Sequence, residues 1–164
     1  MFISFLLILF GGCTNPFAPK LDTSTDQSVL PISDQKDIPG VFQNFQYAYS
    51  FKDTTIYGKL LSGSFTFTYR DYDQGFDVTW GRDDEMRTTN GLFQNAQRLD
   101  LIWNNIILST QDSVSANIVR SFNLTITFNP TDVVHVDGRV NLSLNKNPLT
   151  QVWKIERWID ESNF

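Results

Sequence analysis

Two runs of carboxylates have the residue types from which a divalent cation could be held. Asp71, Asp73 and Asp77 alternate around Gly75, and Asp83, Asp84 and Glu85 follow in direct succession. A calcium loop needs its glycine one position later and a bidentate Glu at the twelfth position, where this chain has Arg82. The first run is therefore expected to be a polar turn joining two strands. Three successive positions do not share one helical face, so the second is expected to be the acidic cap of a helix. The chain has 1 Cys, Cys13, and 1 His, His135. They provide no His and Cys ligand set for a transition metal and no intrachain disulfide, and no metal or cofactor is expected. No Gly-rich phosphate loop, Ser-nucleophile elbow or glycosidase carboxylate pair can be placed, and no catalytic set is assigned.

Aromatic side chains are the richer resource, at 14% of the chain with 4 Trp and 14 Phe. Trp enriches both packed cores and recognition surfaces. Trp80, Trp103, Trp153 and Trp158 therefore divide between core packing and the lining of a pocket or partner surface. In the last strand Trp153 and Trp158 have opposite parity, and face opposite sides of a sheet unless a bulge intervenes.

Charge narrows the classes further. With 13 Lys and Arg against 18 Asp and Glu, the net charge is −5 and no basic cluster occurs. Backbone phosphates supply most of the affinity of a nucleic-acid binder, so nucleic acid is not an expected partner. The length of 164 residues suits one ordinary domain, and 41% apolar residues can build its core.

Residues 1–12, MFISFLLILFGG, are apolar and uncharged. They are too few for a bilayer-spanning helix, which needs roughly 20 residues, but they match a signal-peptide core. The succession Leu9-Phe10-Gly11-Gly12-Cys13 places two tiny residues before the single Cys and resembles a bacterial lipoprotein lipobox. Phe10 stands where such boxes usually carry Leu. The resemblance implies cleavage between Gly12 and Cys13, a diacylglycerol on the Cys13 thiol, and a chain held to a membrane of the bacterial cell envelope. Thr14, rather than Asp, follows the Cys, which favours the periplasmic side of the outer membrane. The alternative is a buried N-terminal strand with a free Cys in the core. Residues 13–35, rich in Pro, Ser, Thr and Asp, read as a tether. The sites Asn123-Leu-Thr125 and Asn141-Leu-Ser143 fit the N-glycosylation pattern, which carries little meaning in a bacterial envelope.

The folded domain is expected over residues 36–164. Ile38, Val41, Phe42, Phe45, Ala48 and Tyr49 recur at helical spacing. Asp53-Thr54-Thr55 offers a cap for a second, short helix carrying Ile56, Tyr57, Leu60 and Leu61 and ended by Ser62-Gly63. Phe65, Phe67 and Tyr69 then alternate with polar residues, as in a half-buried strand. A helix entered through Asp83-Asp84-Glu85 is expected to break at Asn90-Gly91. Four strands follow: one with Leu99, Leu101 and Trp103, one with Phe122, Leu124, Ile126 and Phe128, one over Val133–Val136 with Arg139–Leu144, and one over Val152–Ile159.

Helices followed by strands with one apolar face each indicate an α+β domain with a curved antiparallel sheet wrapped around N-terminal helices. The order α-α-β-α-β-β-β-β resembles the cone-shaped nuclear transport factor two-like, or cystatin-like, superfamily. The residues that carry the likeness are Asp53 to Leu61 running into Phe65-Thr-Phe67, Trp80 to Glu85, and Trp153 to Asp160. The resemblance implies a fold that hosts isomerases, cyclases and non-enzymatic domains, and pairing of two copies through the open sheet face. Its enzymes use a His/Asp or Tyr/Asp pair, because proton abstraction needs a base and a stabiliser for the oxyanion. Here His135, or an interior carboxylate with Tyr57, would be the means.

The face of His135 depends on register at Asp137-Gly138, a strong turn signal. A two-residue turn pairs His135 with Val140 and points it inward. A three-residue loop pairs it with Arg139 on the outer face, and this placement is favoured because it gathers His135, Arg139 and Asn141 in solvent. The expected function is binding, without catalysis, of a small apolar ligand or an envelope protein partner, with Tyr57, Trp80, Trp103, His135 and Trp158 as candidate contacts. The alternative is an isomerase- or cyclase-type enzyme with its pocket inside the cone.

Overall fold

Asp37 opens the first helix by accepting a hydrogen bond from the Gly40 N–H at 2.7 Å, and Pro39, with φ already preset, sits in the first turn. In this computed structural model, which describes residues 31–162, α1 spans Ile38–Phe51 and buries the whole expected stripe, from Val41 and Ala48 at 0% exposure to Ile38 and Tyr49 at 7%. Burial at this level contributes about 1.5–3 kcal/mol per large apolar side chain. Lys52, with φ of 55°, closes the helix in the left-handed region. Asp53 then caps α2, Thr54–Leu60, through the N–H groups of Thr55 and Ile56.

The chain passes from α2 directly into β1, Leu61–Asp71. Ser62-Gly63 therefore lie in a strand rather than ending a helix, because Leu61 is already buried and paired with Ile155. β1 turns into β2, Phe76–Gly81, through the polar run 71–77. Gly75 takes φ of 74° there, the Asp71 carboxylate accepts from Gln74, and Asp77 pairs with Arg70 at 2.9 Å. Two strands thus precede α3 where the sequence order counted one.

α3 spans Arg82–Asn95 and runs through Asn90-Gly91. Its continuation is held by Phe93, buried against the rings of Tyr49 and Tyr57; packing on one face outweighs a single Gly on the open one. The N-cap is Gly81 without a side-chain cap. The three acids occupy the first turn, where they complement the helix dipole, and they diverge: Asp83 and Asp84 are exposed and Glu85 is buried.

β3 (Arg98–Gln111), β4 (Ser115–Asn129), β5 (Asp132–Lys146) and β6 (Trp153–Asp160) complete a six-stranded sheet of order β2-β1-β6-β5-β4-β3. All neighbours are antiparallel except β1 and β6, which are parallel. The helices cover the concave face, with Phe45 of α1 ringed by Tyr49, Tyr57, Trp103 and Trp158 at 5.1–5.5 Å between centroids.

Asp137-Gly138 is not a turn. β5 is continuous through it, Asp137 facing Asn123 and Gly138 facing Phe122, and the β4–β5 reversal falls at Asn129–Asp132 instead. In β6 the pairing with β5 shifts between Ser143–Arg157 and Leu144–Ile155. The bulge resets parity, and Trp153 and Trp158 are both buried on the core side, at 1% and 8% exposure. Before α1, the Ser33 N–H donates to Asn44 and the Gln35 side chain donates to the Trp153 carbonyl, so the packed unit takes in residues ahead of position 36. The signal-like run 1–12, Cys13 and residues 13–30 of the tether lie outside the described residues.

Candidate functional site

The helices do not fill the cone. Between them and the sheet lies a cavity of about 340 Å³, toward the lower end of the roughly 300–1,000 Å³ usual for small-molecule sites. Its walls follow from strand parity. Phe67 and Tyr69 project from β1, Trp80 from β2, Leu101 and Trp103 from β3, Phe122, Leu124 and Ile126 from β4, and Val136 and Val140 from β5. Phe45 and Tyr49 of α1 form the roof, and Thr88, Thr89 and Leu92 of α3 one side. Thr88 is exposed, and Tyr69, Trp80, Leu92 and Ile126 are half-buried, so the cavity reaches the surface beside α3.

Polar groups gather at two places on this apolar wall. Glu85, 4% exposed, accepts from the Tyr57 hydroxyl at 2.5 Å and the Thr89 hydroxyl at 3.0 Å on Oε1, and from the Trp80 indole N–H at 2.8 Å on Oε2. Three donors are thus committed to one carboxylate, which ties α2, α3 and β2 together. Burial, reinforced by the charge of Glu85 among its neighbours, pushes the Tyr49 and Tyr57 hydroxyls above their ordinary range, so both remain protonated donors at neutral pH.

The second group lies at the end of β6. Asp160 accepts from the Ser162 N–H at 3.2 Å and from the Ser162 hydroxyl. Burial raises its carboxyl above the usual range, against the lowering effect of those two hydrogen bonds. Two residues before it, Trp158 is buried with its indole N–H unpaired among the described residues.

The structure brings three of the sequence candidates to the cavity. Trp80 stacks on Phe67 at 4.5 Å and donates to Glu85; Trp103 packs edge-on to Phe42 and Phe45 and donates to the Phe42 carbonyl at 3.0 Å; Trp158 meets Phe67 edge-on at 5.0 Å. Tyr57 is fully buried behind the cavity and reaches it through Glu85. His135 is on the outer face, exposed, paired with Thr125 in register, with Nδ1 3.1 Å from the Thr125 hydroxyl. The favoured face was right and the loop invoked for it was not, since the strand is unbroken. Cys13 lies outside the described residues.

Glu85 and Asp160 were missed as site residues. Glu85, Thr89 and Phe93 share one helical stripe, the buried one, and a carboxylate on that stripe was a readable signal. Asp160 is two residues from Trp158 and shares its face, which the bulge ahead of Trp158 turns to the core.

A conserved protein from Planctomyces limnophilus superposes with a TM-score of 0.67 at 11% identity, over 77% of this chain and 93% of that one. A nuclear transport factor two-like protein of unknown function from Shewanella baltica gives 0.55 at 12% identity, over 76% and 89%. A protein of the same fold family from Streptomyces avermitilis, provisionally assigned as a dehydratase, gives 0.62 at 12%, over 80% and 96%. This chain has the nuclear transport factor two-like fold. At these identities the likeness establishes architecture alone, and one architecture serves many functions. No known family's sequence profile and no curated protein sequence matches the chain. The expected α+β cone is therefore correct, with the parallel β1–β6 pair joining the β1–β2 hairpin to the antiparallel run β3 to β6 of this nuclear transport factor two-like sheet.

Proposed function

We propose that the domain binds a small, predominantly apolar molecule inside the cone without transforming it, and that the chain is held to the bacterial cell envelope through a lipid on Cys13. The observation that carries the binding reading is the cavity of about 340 Å³ walled by Phe67, Trp103, Phe122, Leu124 and Val136. Removing apolar ligand surface from water contributes roughly 25 cal/mol per Å², which favours a ligand whose surface is mostly apolar. Two features favour binding over turnover. Glu85 has its oxygens occupied by three donors, and the single His stands on the opposite face of the sheet.

A second reading has one observation behind it. The raised carboxyl of Asp160 beside an apolar cavity is the environment that suits a general acid or base, and two similar structures carry provisional dehydratase assignments. A protein partner would instead use the free edge strand β3, where Ile102, Ile106, Ile107 and Leu108 are exposed.

Titrating the purified chain with naphthalene, followed by tryptophan fluorescence, tests the binding reading. Saturable quenching that Val136→Phe abolishes, in a variant that still unfolds cooperatively, is expected; quenching that is linear or indifferent to Val136→Phe counts against it. Anchoring rests on the Leu9–Cys13 succession, and no helix among the described residues is long and apolar enough to cross a membrane. Fatty-acid labelling and membrane fractionation should both be lost in Cys13→Ala, and retention of both would overturn the anchor.

A further inference from the structure

We infer that the ligand of this cavity carries a hydroxyl group, seated at the β6 end between the indole N–H of Trp158 and the carboxyl of Asp160. The inference rests on the cavity-binding reading and assigns the chemistry of the ligand's polar end.

The polar groups of the cavity differ in how far they are satisfied. At the α3 end both oxygens of Glu85 already accept, so nothing there calls for a ligand group. Trp80 and Trp103 likewise spend their indole donors within the protein, on Glu85 and on the Phe42 carbonyl. Trp158 does not. It is 8% exposed, it lines the cavity, and its Nε1–H has no partner among the described residues. A buried donor without an acceptor is a costly feature that native structures rarely retain without a reason.

Asp160 supplies the complement. It follows Trp158 by two residues beyond the bulge, so the two side chains share a face, paired across to Val140 and Leu142 of β5. Oδ1 accepts from Ser162, and Oδ2 accepts nothing among the described residues. This end therefore offers one donor and one acceptor to whatever enters. A hydroxyl meets both, its oxygen accepting from Trp158 and its proton donated to Asp160. A ketone or ether would leave Asp160 unmet, an ammonium would leave Trp158 unmet, and a carboxylate would be repelled by Asp160. Burial already disfavours charge on Asp160, and a donated hydrogen bond relieves that penalty.

Naphthalene and its monohydroxy derivative, naphthol, separate the inference from the reading beneath it. The chain is titrated with each while the indole N–H resonances of its 4 Trp are followed by NMR, that of Trp158 being assigned by its loss in Trp158→Phe. Naphthol is expected to bind about tenfold more tightly than naphthalene, one to two net hydrogen bonds being of that size, and to move the Trp158 resonance. Asp160→Ala, which leaves the indole in place, should reduce the preference to about threefold, one of the two hydrogen bonds being left. Equal affinities in the unmodified chain would overturn the hydroxyl assignment and leave the apolar cavity standing. A naphthol preference that survives Asp160→Ala undiminished and leaves the Trp158 resonance unmoved would also overturn it, placing the hydroxyl elsewhere. Binding of neither compound would remove the cavity reading itself, and the inference with it.

Discussion

Gly138 lies directly against Ser162: a methyl group at Gly138 would stand 2.7 Å from the Ser162 Cα and 2.6 Å from its hydroxyl oxygen. The second residue after β6 thus crosses β5 at the one inner position that has no side chain, and that crossing brings the Ser162 hydroxyl onto Asp160. Glycine is there for close backbone approach rather than for a turn.

Gly138→Ala should accordingly destabilise the fold by about 1–3 kcal/mol, the range for forcing extra atoms into a packed site. Urea denaturation measures this as a lower midpoint at unchanged slope. An unchanged midpoint would mean that Ser162 does not pack on β5.

Tyr57→Phe tests the network around Glu85. The variant keeps the ring and removes only the hydroxyl that donates to Oε1 at 2.5 Å. A hydrogen bond to a charged group contributes about 1.5–3 kcal/mol, so thermal unfolding should shift down by several degrees. Glu85→Ala should cost more, because it strands the Tyr57, Thr89 and Trp80 donors together. If Glu85→Ala costs less than Tyr57→Phe, Glu85 is not the acceptor that organises the three elements.

Asp160 gives stability a pH dependence of stated sign. Burial is the main cause that lifts its carboxyl above 3.8, the charge of Glu161 adding to it and Ser162 opposing it. Between the unfolded and folded values the native state binds more protons than the unfolded chain, so this group costs stability as pH rises through that window, and the cost is complete at neutral pH. Asp160→Asn should therefore unfold at a higher temperature than the parent at neutral pH, with the gain shrinking below pH 3.8. Asp34 and Asp112, whose carboxyls are held low by local hydrogen bonds, act in the opposite sense and are untouched by the substitution. A gain of equal size at both pH values would show that Asp160 is not the titrating group.

The helical stripe of α1 and the alternations of β1 and β4 were legible in the sequence because one face of each is turned to the core, and periodicity reports that directly. What was not legible depends on contacts distant in sequence. Asp137-Gly138 has local turn chemistry, yet Ser162 decides its role. Asn90-Gly91 has a breaker's composition, yet Phe93 against Tyr49 carries α3 past it. The cavity itself comes from the gap between α1 and a sheet whose curvature no local pattern encodes. Three of its Trp were nameable in advance by type alone, whereas Glu85 and Asp160 needed helix phase and the β6 bulge.

The most direct test of the central claim is a crystal structure of the chain grown with naphthalene. The account predicts ordered density for the rings inside the cone, between Phe67, Trp103, Trp158 and Val136, with the protein backbone unchanged. Density confined to the outer sheet face or the β3 edge, or an interior closed by repacked Phe and Trp side chains, would contradict it.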